Sequence, residues 1–360
     1  MNITKLELLN FRNYNKLKID DFSNLNIIIG KNGIGKTSIL EAIYLGSLAT
    51  SFKTNNDNLI IKNEKDFLKI KVTLYEYKIR KNLEITIDKN GKKSKINGVT
   101  QKRLSDYIAQ YRTILLSPDE IKIIKSSPNI RRNYLNIQLS QLNKEYIKIL
   151  NDYNILIKNK NDYLKKMLIN SITDTRYLDI LDEKIVELGI KIYEYRKNYI
   201  LQINKYINEI FNNFKNGDKV QILYESDYSS KNKEKLIKEL KKIRNKEMNL
   251  GMTSFGVHRD DIIFEHNGSN AKEYSSQGLQ KLILLSMKLS EVEIFIKDYN
   301  ITPILLLDDL FSELDNNNRN KIFKTLDNKT QIFITTTDIK NINKKITEKS
   351  KIFNLDERMI

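Results

Sequence analysis

Polar and apolar positions alternate over residues 3–9, and residues 25–29 are apolar on both faces; both read as strands, the second a central one. Two more alternating runs, 68–75 and 83–88, are punctuated by the turn signals Asn90-Gly91 and Asn97-Gly98 and predict an antiparallel meander. From Arg132 the period changes. Apolar residues at Leu135, Leu139, Leu142, Tyr146, Ile149, Tyr153, Leu156, Tyr163 and Met167 keep a four-three spacing broken only at Lys160. A second set runs Leu181, Ile185, Leu188, Ile192, Tyr195, Tyr199 and Tyr206, with its gap at Gln202. Two such stretches joined by the polar segment 170–175 predict an antiparallel, coiled-coil-like helical hairpin with arms of roughly 45 to 50 Å. Beyond Leu250 strand patterns return at 251–255 and 262–265, followed by a helix over 277–297, a buried strand over 304–307 and a last strand over 331–335. The simplest architecture is an α/β body, residues 1–130 and 250–360, split by a helical lid over 131–249.

Composition narrows the chemistry. A hydrophobic content of 40% with 13 Phe and 19 Tyr is enough to fill a core and excludes a disordered chain. The absence of Cys removes disulfides, thiolate zinc sites, iron–sulfur clusters and cysteine nucleophiles, and fits a reducing cytosol. Two His, at 258 and 266, leave little for His-based metal chemistry. The net charge of +17 points to a polyanionic partner, nucleic acid or an anionic surface, although Lys, Asn and Ile crowd the whole chain and part of the excess is compositional. The N-terminus lacks an apolar leader core, and no run approaches the ~18 apolar residues of a membrane span. The expectation is a cytoplasmic protein with no membrane partner.

The segment Gly30-Lys31-Asn32-Gly33-Ile34-Gly35-Lys36-Thr37, continued by Ser38, fits the P-loop pattern and lies between a buried strand and a helix start. Glycines there let successive N–H groups wrap the phosphates of ATP, and the helix N-terminus adds its dipole. Lys36 would reach the β- and γ-phosphates, and the Thr37 hydroxyl would take a Mg2+ position. Ile304-Leu305-Leu306-Leu307-Asp308-Asp309 is a Walker B arrangement: Asp308 would hold the metal, and Asp309 stands where a water-orienting carboxylate is expected. Tyr274-Ser275-Ser276-Gln277-Gly278-Leu279-Gln280-Lys281 precedes an amphipathic helix. Alone it reads as a Ser N-cap. Ahead of a Walker B strand it resembles the signature loop of ATP-binding-cassette ATPases, whose Ser hydroxyl and Gly amide touch a nucleotide held by another subunit; here these are Ser276 and Gly278. Ser312-Glu313-Leu314-Asp315 follows at the D-loop position, and Thr335-Thr336-Thr337-Asp338 at the switch position. The basic run Lys89, Lys92, Lys93, Lys95, Lys102 and Arg103 reads either as a solvated edge-strand device or as a phosphate-contacting patch.

Taken in order, Asn10-Phe11-Arg12-Asn13-Tyr14, the P-loop with Leu40-Glu41-Ala42, Ser127-Pro128 with Arg131-Arg132, Gly256-Val257-His258-Arg259-Asp260-Asp261, the Ser-Gln-Gly signature and the Walker B and D-loop segments resemble the RecF family. These are bacterial recombinational repair ATPases related to the structural-maintenance-of-chromosomes proteins, and the resemblance spans residues 1 to about 340. It implies a P-loop, cassette-type ATPase head with a helical lid and an ATP-dependent homodimer. It also implies binding to duplex and gapped DNA, partnership with RecR, and functional links to RecO and RecA. Three positions depart from the pattern: Leu279 where Gln is usual, Lys53 where Arg is expected, and Asn136 where Asp commonly stands. The alternatives are a nucleotide-binding subunit of an ABC transporter, for which Pro118-Asp119 and Thr337 replace the expected Gln loop and switch His, and a short scaffold ATPase of the SMC type.

Overall fold

The computed structural model describes residues 1–76, 79–169, 174–310, 318–319, 321–322, 330–339, 342 and 344–356. The D-loop segment Ser312-Glu313-Leu314-Asp315 lies outside the described residues. In chain order the elements are β1 (Asn2–Phe11), β2 (Tyr14–Asp20), β3 (Leu25–Ile29), α1 (Lys36–Leu48), β4 (Phe67–Glu76), β5 (Ile79–Asp88), β6 (Gly91–Ile96) and β7 (Val99–Thr100). Then come α2 (Leu104–Tyr107), β8 (Thr113–Leu116), α3 (Lys122–Lys125), α4 (Pro128–Leu142), α5 (Lys144–Leu168), α6 (Arg176–Phe214), β9 (Val220–Glu225) and α7 (Lys233–Leu250). The chain closes with β10 (Asp261–His266), β11 (Ser269–Asn270), α8 (Ala271–Tyr274), α9 (Gln277–Glu293), β12 (Ile304–Asp308), β13 (Ile332–Thr336) and β14 (Lys351–Asn354). Two compact units result: residues 1–121, 209–217 and 281–360 form the first, and 122–208 with 218–280 the second.

The first unit holds two sheets. One is antiparallel in the order β2-β1-β4-β5-β6-β7, so the expected meander is joined by the N-terminal hairpin; the other is parallel in the order β14-β3-β13-β12-β8. The inner face of the antiparallel sheet is aliphatic, with Leu6, Leu8, Ile70, Val72, Ile85 and Ile87 all buried. α1 contacts β1, β4 and β5 of that sheet and β8, β12 and β13 of the other, which is why every one of its residues except Thr37 is buried. β12 and β13 are buried along their whole length, as strands covered on both faces must be. The P-loop therefore leaves β3 and the two acids leave β12 at the same, C-terminal edge of a parallel sheet, with β13 between them. Open α/β sheets bind ligands at that edge.

The second unit is helical around a small sheet, β11-β10-β9. α5 and α6 run antiparallel: Tyr146 meets Tyr195 at 5.6 Å between rings, Lys160 pairs with Asp182 at 2.7 Å, and Tyr163 meets Tyr177 at 5.0 Å. The predicted arms are not equal single helices. The first breaks at Asn143, whose extended backbone (φ −142°) ends α4 and whose side chain accepts from Glu145 N at 2.7 Å to cap α5. The four-three spacing runs across this break and so conceals it. α6, at 39 residues, is one continuous helix of ~58 Å. β9 and α7 fall inside the stretch read as helical insert, and α7 packs on α5. Residues 251–255, predicted as a strand, form a loop. Gly251 closes α7 in the left-handed region (φ 62°), and the amides of Thr253 and Ser254 go to the side chains of Asn161 (2.7 Å) and Glu247 (2.7 Å) instead of a neighbouring strand.

Lys160, the break in the heptad pattern, is 2% exposed and sits at the meeting of α5, α6 and α7. Its ammonium lies 2.7 Å from Asp182 and 2.7 Å from Glu247, and Arg244 on α7 pairs at 2.8 Å with Asp182 and 2.8 Å with Asp179. Removing one partner of a buried ion cluster leaves the others desolvated without compensation. Lys160→Met, which keeps the volume, is therefore expected to destabilise the fold by about 3 to 5 kcal/mol. Denaturant unfolding followed by far-UV circular dichroism measures it; a loss below about 1 kcal/mol would show that the cluster is not holding these helices.

Candidate functional site

The P-loop conformation follows from its glycines. Gly35, the residue before α1, has φ 110°, and a Cβ there would lie 2.6 Å from the Tyr14 hydroxyl, so both its backbone angle and the close approach require glycine. Gly33 also takes a positive φ of 82°. α1 carries no acidic residue in its first turn, leaving the positive end of its dipole facing the loop.

Lys36 is 8% exposed, and its ammonium donates to the carbonyls of Gly30 (2.6 Å) and Lys31 (2.9 Å). Burial lowers its pKa from the ordinary lysine value, against the upward pull of Asp309, Asp308 and Asp356. The Thr37 hydroxyl donates to Asp308 Oδ1 at 2.9 Å, and Thr335 on β13 donates to the same oxygen at 2.7 Å. Thr335 Oγ1 in turn accepts from the amide of Asp309 at 2.9 Å. That amide belongs to a left-handed residue, φ 46°, a conformation Asp tolerates better than most. Asp308 and Thr335 are register partners on adjacent parallel strands, so the sheet itself sets this contact.

A cavity of about 350 Å³ opens here, lined by Asn32, Gly33, Gly35, Lys36, Thr37, Ser38, Asp309 and Thr335, and by Arg12, Asn13 and Lys53. The structure thus brings together the P-loop and Walker B residues that the sequence singles out. It adds the contacts made by two segments that the sequence marks only by position: the Thr335 hydroxyl, at the switch position, braces both acids, and the β1–β2 turn, within the string 10–14, reaches the cavity. Asn13 Nδ2 donates to Gly33 O at 3.2 Å, and Tyr14 Oη to Ile34 O at 3.5 Å. Burial pushes the Tyr14 hydroxyl up to about 12, so it stays a neutral donor. Among the described residues, no group of three or more His, Asp or Glu could hold a metal alone. The hydroxyl of Thr37 beside the carboxylate of Asp308 is a pair of hard oxygen donors of the kind that Mg2+ accepts, and would need water or phosphate oxygens to complete a coordination sphere.

Ser276 and Gly278 belong to the second unit, exposed at the start of α9. Ser276 Oγ accepts from Leu279 N at 3.4 Å, and a Cβ on Gly278 would meet nothing within 4 Å, so open space lies beside the helix start. The buried side chain of Gln280 donates to Ala271 O (2.8 Å), Lys272 O (3.2 Å) and Ser275 O (3.1 Å), fixing the loop from beneath.

The His-Arg-Asp-Asp run is the joint of the second unit. Arg131 forks onto Asp261 at 2.5 and 2.8 Å, Arg196 pairs with Asp260 at 2.7 Å, and Tyr224 also donates to Asp260. Asn136, where Asp is usual, accepts from Tyr146 (2.7 Å) and Arg196 (3.0 Å), a role its amide oxygen fills without a charge. His258 contacts Tyr153 Oη at 2.9 Å and Thr253 Oγ1 at 3.2 Å, and burial pushes its pKa down to about 4, keeping it neutral. The basic run divides: Lys92 reaches Asp57 (3.0 Å) and Ala49 O (2.8 Å), whereas Lys93 and Lys95 lie beside Asp88 (3.6 Å) and Glu84 (4.0 Å).

Comparison with known proteins agrees with this geometry. The profile of the RecF/RecN/SMC N terminal domain family matches residues 2–360. The DNA replication and repair protein RecF of Ligilactobacillus salivarius is 35% identical over 100% of this chain and 97% of its own length. That of Staphylococcus epidermidis is 35% identical over 99% of each. A solved structure described as the recombination mediator protein RecF-ATP in the RecFOR pathway superposes with a TM-score of 0.89 at 32% identity, covering 95% of this chain and 93% of that one. The Smc head domain of Pyrococcus furiosus shares the fold, with a TM-score of 0.53 at 19% identity. No helix among the described residues is long and apolar enough to cross a membrane.

Proposed function

The chain belongs to the RecF family, and on that premise we propose that it is an ATP-operated DNA clamp of replication and recombinational repair. The observation that carries the nucleotide part is the chain of bonds from Thr37 through Asp308 to Thr335 at the rim of a cavity floored by the P-loop. In this reading Gly30, Lys31, Asn32, Gly33, Ile34, Gly35 and Ser38 form the phosphate cradle with Lys36 and Thr37. Lys36 leaves its two carbonyls for the β- and γ-phosphates, and Thr37 with Asp308 holds Mg2+. The metal would neutralise phosphate charge, while Asp309 orients the attacking water. The neutral cavity residues and the lysines fit a triphosphate better than a neutral ligand.

Ser276 and Gly278 act on the nucleotide of a second copy, so ATP closes a homodimer and hydrolysis reopens it. DNA, duplex or gapped, is held mainly by phosphate contacts, hydrolysis is slow, and it responds to DNA. RecR is the direct partner, with RecO and RecA downstream, in the cytoplasm. The likeness to RecF proteins, which runs through nearly the full length of both chains, favours this reading over a transporter subunit.

Size-exclusion chromatography with and without ATP and Mg2+ tests it. The parent is expected to shift from monomer to dimer only with both. Ser276→Arg, which places bulk and charge at an exposed helix start, is expected to keep monomer ATP affinity while reducing the dimer at least about 10-fold. Loss of ATP binding by the Ser276→Arg monomer would place Ser276 in its own chain's site and contradict the clamp.

A further inference from the structure

Glu41 lies within α1, behind the P-loop, with no solvent exposure at all. A buried carboxylate is unfavourable unless its lone pairs are met, and two chain segments converge to meet them. Arg12, in the β1–β2 turn, donates through Nε to Oε2 at 2.9 Å and through Nη2 to Oε1 at 2.5 Å. Ser51 donates its hydroxyl to Oε1. The Ser51 oxygen also accepts from the amides of Lys53 (2.9 Å) and Thr54 (3.2 Å), so the loop carrying Lys53 hangs on the same carboxylate. The remaining guanidinium arm of Arg12 donates to Leu59 O at 2.7 Å. The turn itself is held in a left-handed conformation at Arg12 (φ 51°), and its amide goes to Ile60 O at 2.9 Å.

Arg12 and Lys53 both line the cavity, and both lie outside the P-loop and the Walker B segment. A free arginine samples many rotamers; a forked pair with a fixed carboxylate leaves one. We propose that Glu41 is a positioning residue for the nucleotide cavity, holding Arg12 and the Lys53 loop in the geometry that meets a bound triphosphate. The inference rests on the ATP reading of the site. Glu41 touches no ligand itself. It acts by keeping two cations on one wall of the cavity while Lys36 serves the floor, and by offsetting part of the Arg12 charge so that the wall does not repel Lys36.

The test uses the full-length protein, a fluorescent ATP analogue and steady-state hydrolysis. Glu41→Gln keeps the shape but not the forked pair, and is expected to raise the analogue's Kd and the KM for ATP about 10-fold, with kcat within about twofold of the parent. Arg12→Ala should do the same, and the double variant should be no weaker than the weaker single one, because both changes remove one arrangement. Ser51→Ala keeps the Arg12–Glu41 fork but releases the Lys53 loop and one donor to Glu41, and should raise Kd about threefold in a protein that stays folded with a modestly lower melting temperature. A folded Glu41→Gln variant with the parent's Kd, or a double variant whose effects multiply, overturns the proposal. If Glu41→Gln does not fold, Ser51→Ala decides: the parent's Kd there overturns it too. Lys36→Ala run in parallel separates the two readings, since retained analogue binding in that variant would remove the ATP site itself and the inference with it.

Discussion

Lys36→Ala is expected to lose nucleotide binding by at least about 100-fold while the protein stays folded. The lysine is the cation on the cavity floor, and its present partners are two loop carbonyls, Gly30 and Lys31, that water can reach from the cavity once the ammonium is gone. Its proposed contribution to a triphosphate is a pair of charge-assisted hydrogen bonds in a partly desolvated site, which would be worth on the order of 3 kcal/mol together, the factor of about 100. Burial already lowers the pKa of the ammonium, so phosphate oxygens that restore a full counter-charge bind it more strongly than they would a solvated lysine. Equilibrium titration with a fluorescent ATP analogue, alongside circular dichroism, measures both halves. Binding within threefold of the parent would move the nucleotide site away from the P-loop.

Where the chain repeats a local rule, its structure was legible. The alternation at 68–75 and 83–88 and the apolar run at 25–29 form strands because one or both faces must be covered, and the P-loop and Walker B segments meet because β3 and β12 flank a common neighbour. The misread parts depend on partners distant in sequence. Residues 251–255 alternate like a strand, yet their amides are taken by Asn161 and Glu247, and no local pattern announces that. The heptad count ran through Asn143 because the cap replaces backbone bonds without shifting the apolar stripe. Lys160 looked like a defect in that stripe and is instead its buried ionic centre. That the P-loop and Walker B segments are neighbours was legible from spacing, whereas the brace at Thr335 and the anchoring of Arg12 by Glu41 depend on tertiary register. The string Leu40-Glu41-Ala42 marked the position without its reason.

Asp309→Asn is expected to lower single-turnover hydrolysis by about 100-fold while ATP-bound dimers persist longer than the parent's. Asp309 stands just past β12, with its amide held by Thr335 and its backbone in the left-handed region, so the sheet edge fixes the backbone that carries its carboxylate. Its side chain is one methylene shorter than a Glu and reaches roughly 1.5 Å less far, so hydrolysis is expected to be slow even in the parent, since a misplacement near 1 Å can cost on the order of 100-fold. Asn keeps the shape and removes the negative charge that, in the proposed mechanism, orients and accepts a proton from water. Asp308→Asn should behave differently. Its oxygen already takes the hydroxyls of Thr37 and Thr335, so neutralising it weakens the metal position and, through it, triphosphate binding. The comparison is therefore hydrolysis lost with dimers kept for Asp309→Asn, against Mg2+-dependent ATP affinity lost with both for Asp308→Asn. Hydrolysis by Asp309→Asn at the parent rate would show that another group orients the water, and the account of a clamp timed by a short carboxylate would fall with it.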